Sequence, residues 1–361
     1  MKRLIAVLVV VALVMTGAFA QLSFNVQVAS ELWGTNGFKF APNMQASAGT
    51  GDDWATQDSA TLFGLNYSTS KAGVTVDIRP VYKANGSNAN WGNVGNALQI
   101  HQYSGWFKPF DFMKVSMGTN VQVSVFGADE MRWNCLGARA GEVCGAAVEV
   151  TPVAGLYVGY VLNDCGKDIK SAKMGAAASY AFDFANIGAQ WTTGSNGIEG
   201  KEMAIGLGAA FSVGDVRVKP VYTIALDNNK VKKPMHKADL FMVWGNGTIS
   251  VKFLERSIIV DKNFGNIVKA EVNYAFADNA SVNLKACYGM NVKDTGNDDW
   301  SGMDYWDKTT EKGNRLSAYL SVPVAFDEGV TVVPGFLLKY DATAADNKAT
   351  WSIPLTVKYA F

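Results

Sequence analysis

The sequence predicts an all-β chain closed into a transmembrane antiparallel up-and-down β-barrel of 16–18 strands. Three observations carry that prediction. Short runs with a two-residue period of apolar and polar side chains fill the chain beyond Ala20, and tight turns alternate strictly with longer polar segments between them. The first 20 residues carry an export signal, and no later apolar run reaches the eighteen or so residues of a membrane helix.

The amino-terminal segment places Lys2 and Arg3 before an apolar run from Leu4 to Val14 and ends on Ala18, Phe19 and Ala20. Charge, apolar stretch and a small-x-small exit are the order of a secretory signal peptide, with cleavage expected after Ala20. A helical anchor is the competing reading, but the apolar run is short and no basic stop-transfer cluster follows it. The expected organisation is a signal peptide over 1–20 and a single barrel domain over 21–361. No cysteine stands at the expected cut, so no lipid anchor is expected there.

At the other end, Trp351, Ile353, Leu355, Val357, Tyr359 and Phe361 alternate with Ser352, Pro354, Thr356, Lys358 and Ala360. One face of a strand is therefore apolar and the other polar or small. This stretch, finishing on an aromatic residue, resembles the C-terminal strand of bacterial outer-membrane proteins. The resemblance implies that Tyr359 and Phe361 form an assembly signal read by the barrel-assembly machinery. It also implies an outer-membrane lipid surround, short periplasmic turns and longer outer loops.

Composition narrows the function. Lys+Arg and Asp+Glu are both 32, which gives a charge-driven nucleic-acid partner no support. Thirty-six glycines, 12% aromatic residues and only 9 prolines suit alternating strands better than helices. The mean hydropathy of +0.04 is what cancelling lipid-facing and lumen-facing positions produce. Cys135, Cys144, Cys165 and Cys287 form no CxxC pair, and with two histidines in the chain neither a metal site nor a cofactor is expected. Export permits a loop disulfide among Cys135, Cys144 and Cys165, with unpaired thiols as the alternative.

Tight turns are expected at Ser70–Gly73, Pro109–Phe112, Thr151–Gly155, Asp183–Ala185, Val213–Asp215, Gly245–Gly247, Asp278–Ala280 and Asp327–Gly329. Their Gly, Asp, Asn and Pro residues supply the reversal geometry. Longer segments follow at Ser30–Gln57, Ala84–Asn96, Gly127–Ala140, Asn163–Ala172, Ser195–Gly200, Asp227–Met235, Asp261–Phe264, Asp294–Gly313 and Asp341–Ala349. Eight hairpins and one strand at each end make eighteen strands. The runs around His101 and Leu240 alternate poorly, and losing one hairpin would leave sixteen. Tyr160, Phe182, Phe211, Tyr274, Phe326, Tyr340 and Tyr359 lie near strand ends, as interface girdles require. Pro80, Pro220, Pro334 and Pro354 fall inside expected strands, where the missing donor calls for a bulge or frayed pairing toward the outer rim.

Sixteen to eighteen strands leave an aqueous channel unless a domain plugs it, and the chain has no residues to spare for a plug. In this it resembles a general or substrate-selective porin, a class that implies passage of small hydrophilic solutes and often a homotrimer. The expected inward set is Arg79, Lys83, Lys114, Arg217, Lys219, Lys252, Lys269, Lys285, Arg315, Lys339 and Lys358 against Asp77, Glu149, Glu202, Asp239 and Glu271. That excess predicts a mildly positive lumen biased toward anions, the alternative being charges that merely pair and solvate the wall. The resemblance also implies that the third outer loop, Gly127–Ala140 with Asp129, Glu130, Arg132 and Trp133, folds inward. Asp298, Asp299, Trp300, Tyr305 and Trp306 in Asp294–Gly313 read either as a sugar-contacting set or as a solvated surface loop. A surface adhesin carrying its binding on Ser30–Gln57 is the alternative function. An enzyme is not expected, since His101 and His236 lie in no recognisable nucleophile or metal setting.

Overall fold

The computed structural model describes residues 20–38, 62–80, 98–119, 121–125, 137–139, 145–163, 173–193, 203–226, 234–260, 263–291, 314–326, 329–342, 344–346 and 348–360. The expectations on residues 1–19, Lys83, Glu202, Asp129, Glu130, Arg132, Trp133, Cys135, Cys144, Cys165, the 294–313 segment and Phe361 lie outside the described residues. So do those on the side chains of Asp77, Arg79 and His101.

A closed antiparallel ring makes up nearly the whole structure. Its strands are β1 (Ala20–Gly34), β3 (Leu62–Ser68), β4 (Ala72–Pro80), β5 (Leu98–Phe110), β6 (Met113–Gly118) and β9 (Gly145–Val150). They continue with β10 (Leu156–Asn163), β11 (Lys173–Ala181), β12 (Asn186–Thr193), β13 (Met203–Val213), β14 (Val216–Leu226) and β15 (Met235–Gly245). The ring is completed by β16 (Ile249–Val260), β17 (Asn263–Ala277), β18 (Ala280–Met290), β19 (Arg315–Ser321), β21 (Val330–Asp341) and β22 (Ala349–Ala360). Each pairs with the next, and β22 returns to β1 through Val26↔Tyr359 and Val28↔Val357. Two of the sheet's 20 strands, β2 (Gly37–Phe38) and β20 (Val324–Ala325), are short appendages, which leaves eighteen in the ring. The poorly alternating stretches around His101 and Leu240 are both strands.

The reversals fall where the sequence puts them. Thr69 Oγ1 accepts hydrogen bonds from the Lys71 and Ala72 amides, and Asn246 Oδ1 accepts from those of Thr248 and Ile249. Gly155 (φ 82°) and Gly247 (φ 87°) occupy the left-handed region that a Cβ would strain. Among the described residues the long-connection end differs at Asp261–Phe264, where β17 already begins at Asn263, and at the first connection. Ser30–Gln57 was expected to be one loop, but β1 runs on to Gly34 and β2 turns back on it through Trp33↔Phe38. A bulge between Glu31 and Trp33 lets this polar stretch keep its pairing with β22.

The prolines correct the expectation of fraying at the rim. Only Pro80 ends its strand. Pro220 lies within β14, where pairing with β13 lapses between Gly208↔Val221 and Phe211↔Val218. Pro334 and Pro354 share one lapse between β21 and β22, from Pro334↔Leu355 to Leu337↔Ser352. Pro354 also opposes Glu31 at the β1 bulge. Residues without a donor are thus grouped where donors are not used.

The alternation sorts the wall into two faces. On β19, Arg315, Ser317, Tyr319 and Ser321 are buried on the inward side, while Leu316, Ala318 and Leu320 face outward. Val158, Tyr160, Ile205, Leu207, Val272, Tyr274, Phe276, Leu284 and Phe336 project outward and are exposed. So broad an apolar belt around a closed ring is a surface that lipid, not water, covers.

Candidate pore wall and its inward-folded hairpin

Residues opposite one another in the ladder share a face, so register fixes the inward set. Lys219 pairs with Phe241 and Phe241 with Leu254; Leu254 pairs with Lys269, Lys269 with Cys287 and Cys287 with Ser317. Lys339 follows through Ser317↔Lys339. This row places Lys219, Lys269 and Lys339 on the inner wall, as alternation anticipated. Parallel rows place Arg217, Lys252, Glu271 and Lys285 there as well. Lys358 shares the inward side of β22 with buried Thr356.

The described carboxylates on this wall are each held by cations. Asp239 takes Arg256 Nε on Oδ1 at 2.7 Å, and Lys237 Nζ stands 3.8 Å from its Oδ2. Glu271 lies 3.8 Å from both Lys252 and Lys285. Arg315 Nε donates to Asp341 at 2.8 Å. On the far side of the ring, Glu149 meets Lys114 at 3.1 Å and accepts the Tyr157 hydroxyl at 3.1 Å. Asp239, Arg256, Lys269 and Arg315 are all nearly fully buried, so these charges are poorly screened by solvent and tightly tied to their geometry.

Cations exceed carboxylates on the described wall. Lys108, Lys114, Arg217, Lys219, Lys237, Lys252, Arg256, Lys269, Lys285, Arg315, Lys339 and Lys358 stand against Glu149, Asp239, Glu271 and Asp341. Lys108, Lys237, Arg256 and Asp341 are the members that reading the sequence did not find. Lys108 and Lys114 each place Nζ 5.9 Å from the Trp106 ring centre, and Lys219 lies 5.5 Å from that of Phe241. Trp106 lies against Gly73, where a Cβ would come within 2.4 Å of the indole nitrogen.

A hairpin occupies part of the space inside the ring. β7 (Gln122–Ser124) and β8 (Gly137–Arg139) pair with each other and not with the barrel. They belong to the third long connection, between β6 and β9. β7 packs on β10 and β11, and β8 on β11 and β12. Val121, Val123 and Val125 are buried against Ala147, Val161 and Ala177 of the inner wall, beside Tyr157. The wall is made of small residues beneath them: a Cβ on Gly159 would approach Val123 to 2.8 Å. The described parts of the third loop therefore lie inside the barrel.

No family model matches the chain, and no curated protein matches its sequence. Among solved structures, the outer membrane protein opdK from Pseudomonas aeruginosa superposes with a TM-score of 0.56 at 10% identity, covering 95% of this chain and 98% of that one. The fold is that of a bacterial outer-membrane porin. OccK10 (OpdN) from Pseudomonas aeruginosa matches at TM-score 0.55 and 10% identity over 95% of this chain and 99% of its own. A BenF-like porin from Pseudomonas fluorescens Pf-5 gives TM-score 0.55, 10% identity, and coverage of 95% and 98%. Such similarity to porins is one of architecture, and the residues of the wall are this chain's own.

Proposed function

We propose that the chain is an outer-membrane porin, a water-filled channel for passive passage of small hydrophilic solutes that favours anions. The surplus of cations on the inner wall carries this reading. Twelve cations against four carboxylates on the described wall make it net positive, which lowers the cost of bringing an anion out of bulk water. A wet lumen is supported by Gln190 Oε1, Thr192 Oγ1 and Thr223 Oγ1, buried acceptors on the wall that find no protein partner and so call for water. The inward hairpin narrows the path and sets the size limit. On this reading the short turns face the periplasm, the long connections face outward, and Tyr359 with Phe361 serves assembly.

The deciding measurement is single-channel conductance of the refolded protein in a planar bilayer under a salt gradient. Discrete open steps with a reversal potential on the anion side are expected. Inserted protein without steps refutes the channel, and a cation-side potential refutes the selectivity.

A further inference from the structure

The wall is low on one side. β6 and β9 have six residues each, whereas a barrel strand tilted about 45° needs about 9–11 to cross the hydrocarbon. Neither can lengthen much at the long-connection end. β6 leaves the wall at Gly118, where φ is 129° and a Cβ would collide with the Tyr103 carbonyl oxygen, and the chain passes into the inward hairpin. On the return, only five residues separate Arg139 of β8 from Gly145 of β9. The opposite wall is tall, with 15 residues in β17 and 11 in β18. In the ring order β6 is fifth and β17 fourteenth, β9 sixth and β18 fifteenth, so each short strand faces a long one across the barrel.

The missing height reappears as apolar surface at the short turns. Phe110 pairs with Met113 on the outward face and stacks on Phe112 of the turn, with 5.3 Å between ring centres. Val153 tips the β9–β10 turn. Beside it Tyr180, Phe182 and Phe184 form a file of rings around the β11–β12 turn, spaced 4.7 and 5.6 Å apart. Val153 is 59% exposed and Phe184 74%. On the tall side the tips are Gly214–Asp215, Asn246–Gly247 and Asp278–Asn279, polar or glycine throughout. Asp111 and Asp183 fall between the rings of the low side, which suits the headgroup boundary and not the hydrocarbon.

We propose that these three turns are a lipid-binding surface, seated in the headgroup boundary of the leaflet on the short-turn side. The tips across the ring stand in water, and the barrel sits obliquely. A span too short for its bilayer is otherwise relieved by thinning the membrane, at a cost that grows with each ångström of mismatch. Lowering the turns supplies the missing apolar height from side chains that are already exposed. Lipid is the occupant because the patch continues the outward belt of the same strands, through Met113, Val148 and Tyr180. The inference rests on lipid covering that belt, and it is independent of what crosses the lumen.

The test is depth measured by spin-label resonance on the full chain refolded into phosphatidylcholine vesicles. Its four cysteines are replaced by alanine and one label is introduced at a time. Labels in Val153→Cys and Phe184→Cys should collide with oxygen, which partitions into lipid, in preference to a water-soluble nickel chelate. The label in Asp278→Cys should show the reverse preference. Leu207→Cys, on the outward belt, reports insertion of the barrel. Nickel access at all three turn sites, with the Leu207 site in lipid, overturns the proposal. Shielding of the Val153 and Phe184 sites from both reagents also overturns it, by assigning the turns to a protein contact. Phe182→Ser with Phe184→Ser should shift the label in Val153→Cys toward nickel access, and no shift refutes anchoring by the rings. Nickel access at the Leu207 site would sink the membrane reading itself, and this inference with it.

Discussion

Val125 Cγ1 fills the place of the side chain that Gly188 lacks. A Cβ built on Gly188 would lie 2.0 Å from it. The strand of the third loop is therefore seated in a notch cut by a glycine of β12, and the notch is accessible to mutation. Gly188→Val is expected to lift the hairpin from the wall. Overpacking of this kind costs about 1–3 kcal/mol, comparable to the apolar contact the three valines gain. Larger single-channel conductance and faster passage of bulkier solutes should follow; unchanged conductance would mean that the hairpin does not limit the path.

Asp239 holds two cations on the wall. Asp239→Ala leaves Arg256 and Lys237 facing each other without their counter-charge, at a cost of about 3 kcal/mol in folding stability. The denaturant midpoint for unfolding from lipid should fall accordingly. In protein that does fold, the reversal potential should move further toward anions.

These two residues also show where the sequence was legible. On β19, and on β17 from Val268 to Tyr274, the inward residues are polar or charged and the outward ones apolar, so parity alone assigned Arg315, Lys269 and Glu271. On β15 and β16 the pattern is crossed. Met235, Phe241, Leu254 and Ile258 face inward while His236, Glu255 and Ser257 face outward. Alternation there carries little contrast, and Lys237 and Arg256 were missed for that reason. The seating of β7 and β8 was beyond such reading, because it depends on contacts between residues distant in the chain. What a local period can show is the strand and its faces.

The shared lapse at Pro334 and Pro354 gives a third expectation. Replacing Pro354 by Val restores an amide opposite β21 or β1, and one added ladder hydrogen bond contributes about 0.5–1.5 kcal/mol. Hydrogen exchange of the β22 amides should slow in this variant. Unaltered exchange would show that the bulge, not the missing donor, sets the local pairing.

At the short-turn end, Lys71 and Asp111 form an exposed ion pair between adjacent reversals. The hydrogen bond from Lys71, and then its charge, hold the Asp111 carboxyl below its ordinary value of 3.8. A lowered carboxylate stabilises the fold above the unfolded value and loses that contribution as pH falls through the folded one. Asp111→Asn should therefore lower the unfolding midpoint slightly at neutral pH and match the wild type in strong acid. A difference that persists below the titration range would assign the effect to packing instead.

Every neighbour in the ring but one is also a neighbour in the chain. The exception joins β1 to β22, whose partners Asn25 and Ala360 stand at opposite ends of the polypeptide. The other joints can zip as local hairpins, each closing far less chain than this one, which must wait until almost the whole chain is laid down. Until then two unpaired edges are open to strangers. The seam that closes last carries the Glu31 bulge, and the lapse at Pro334 and Pro354 lies along the other edge of its strand β22. A barrel built this way has a single place to gape and a single place to shut.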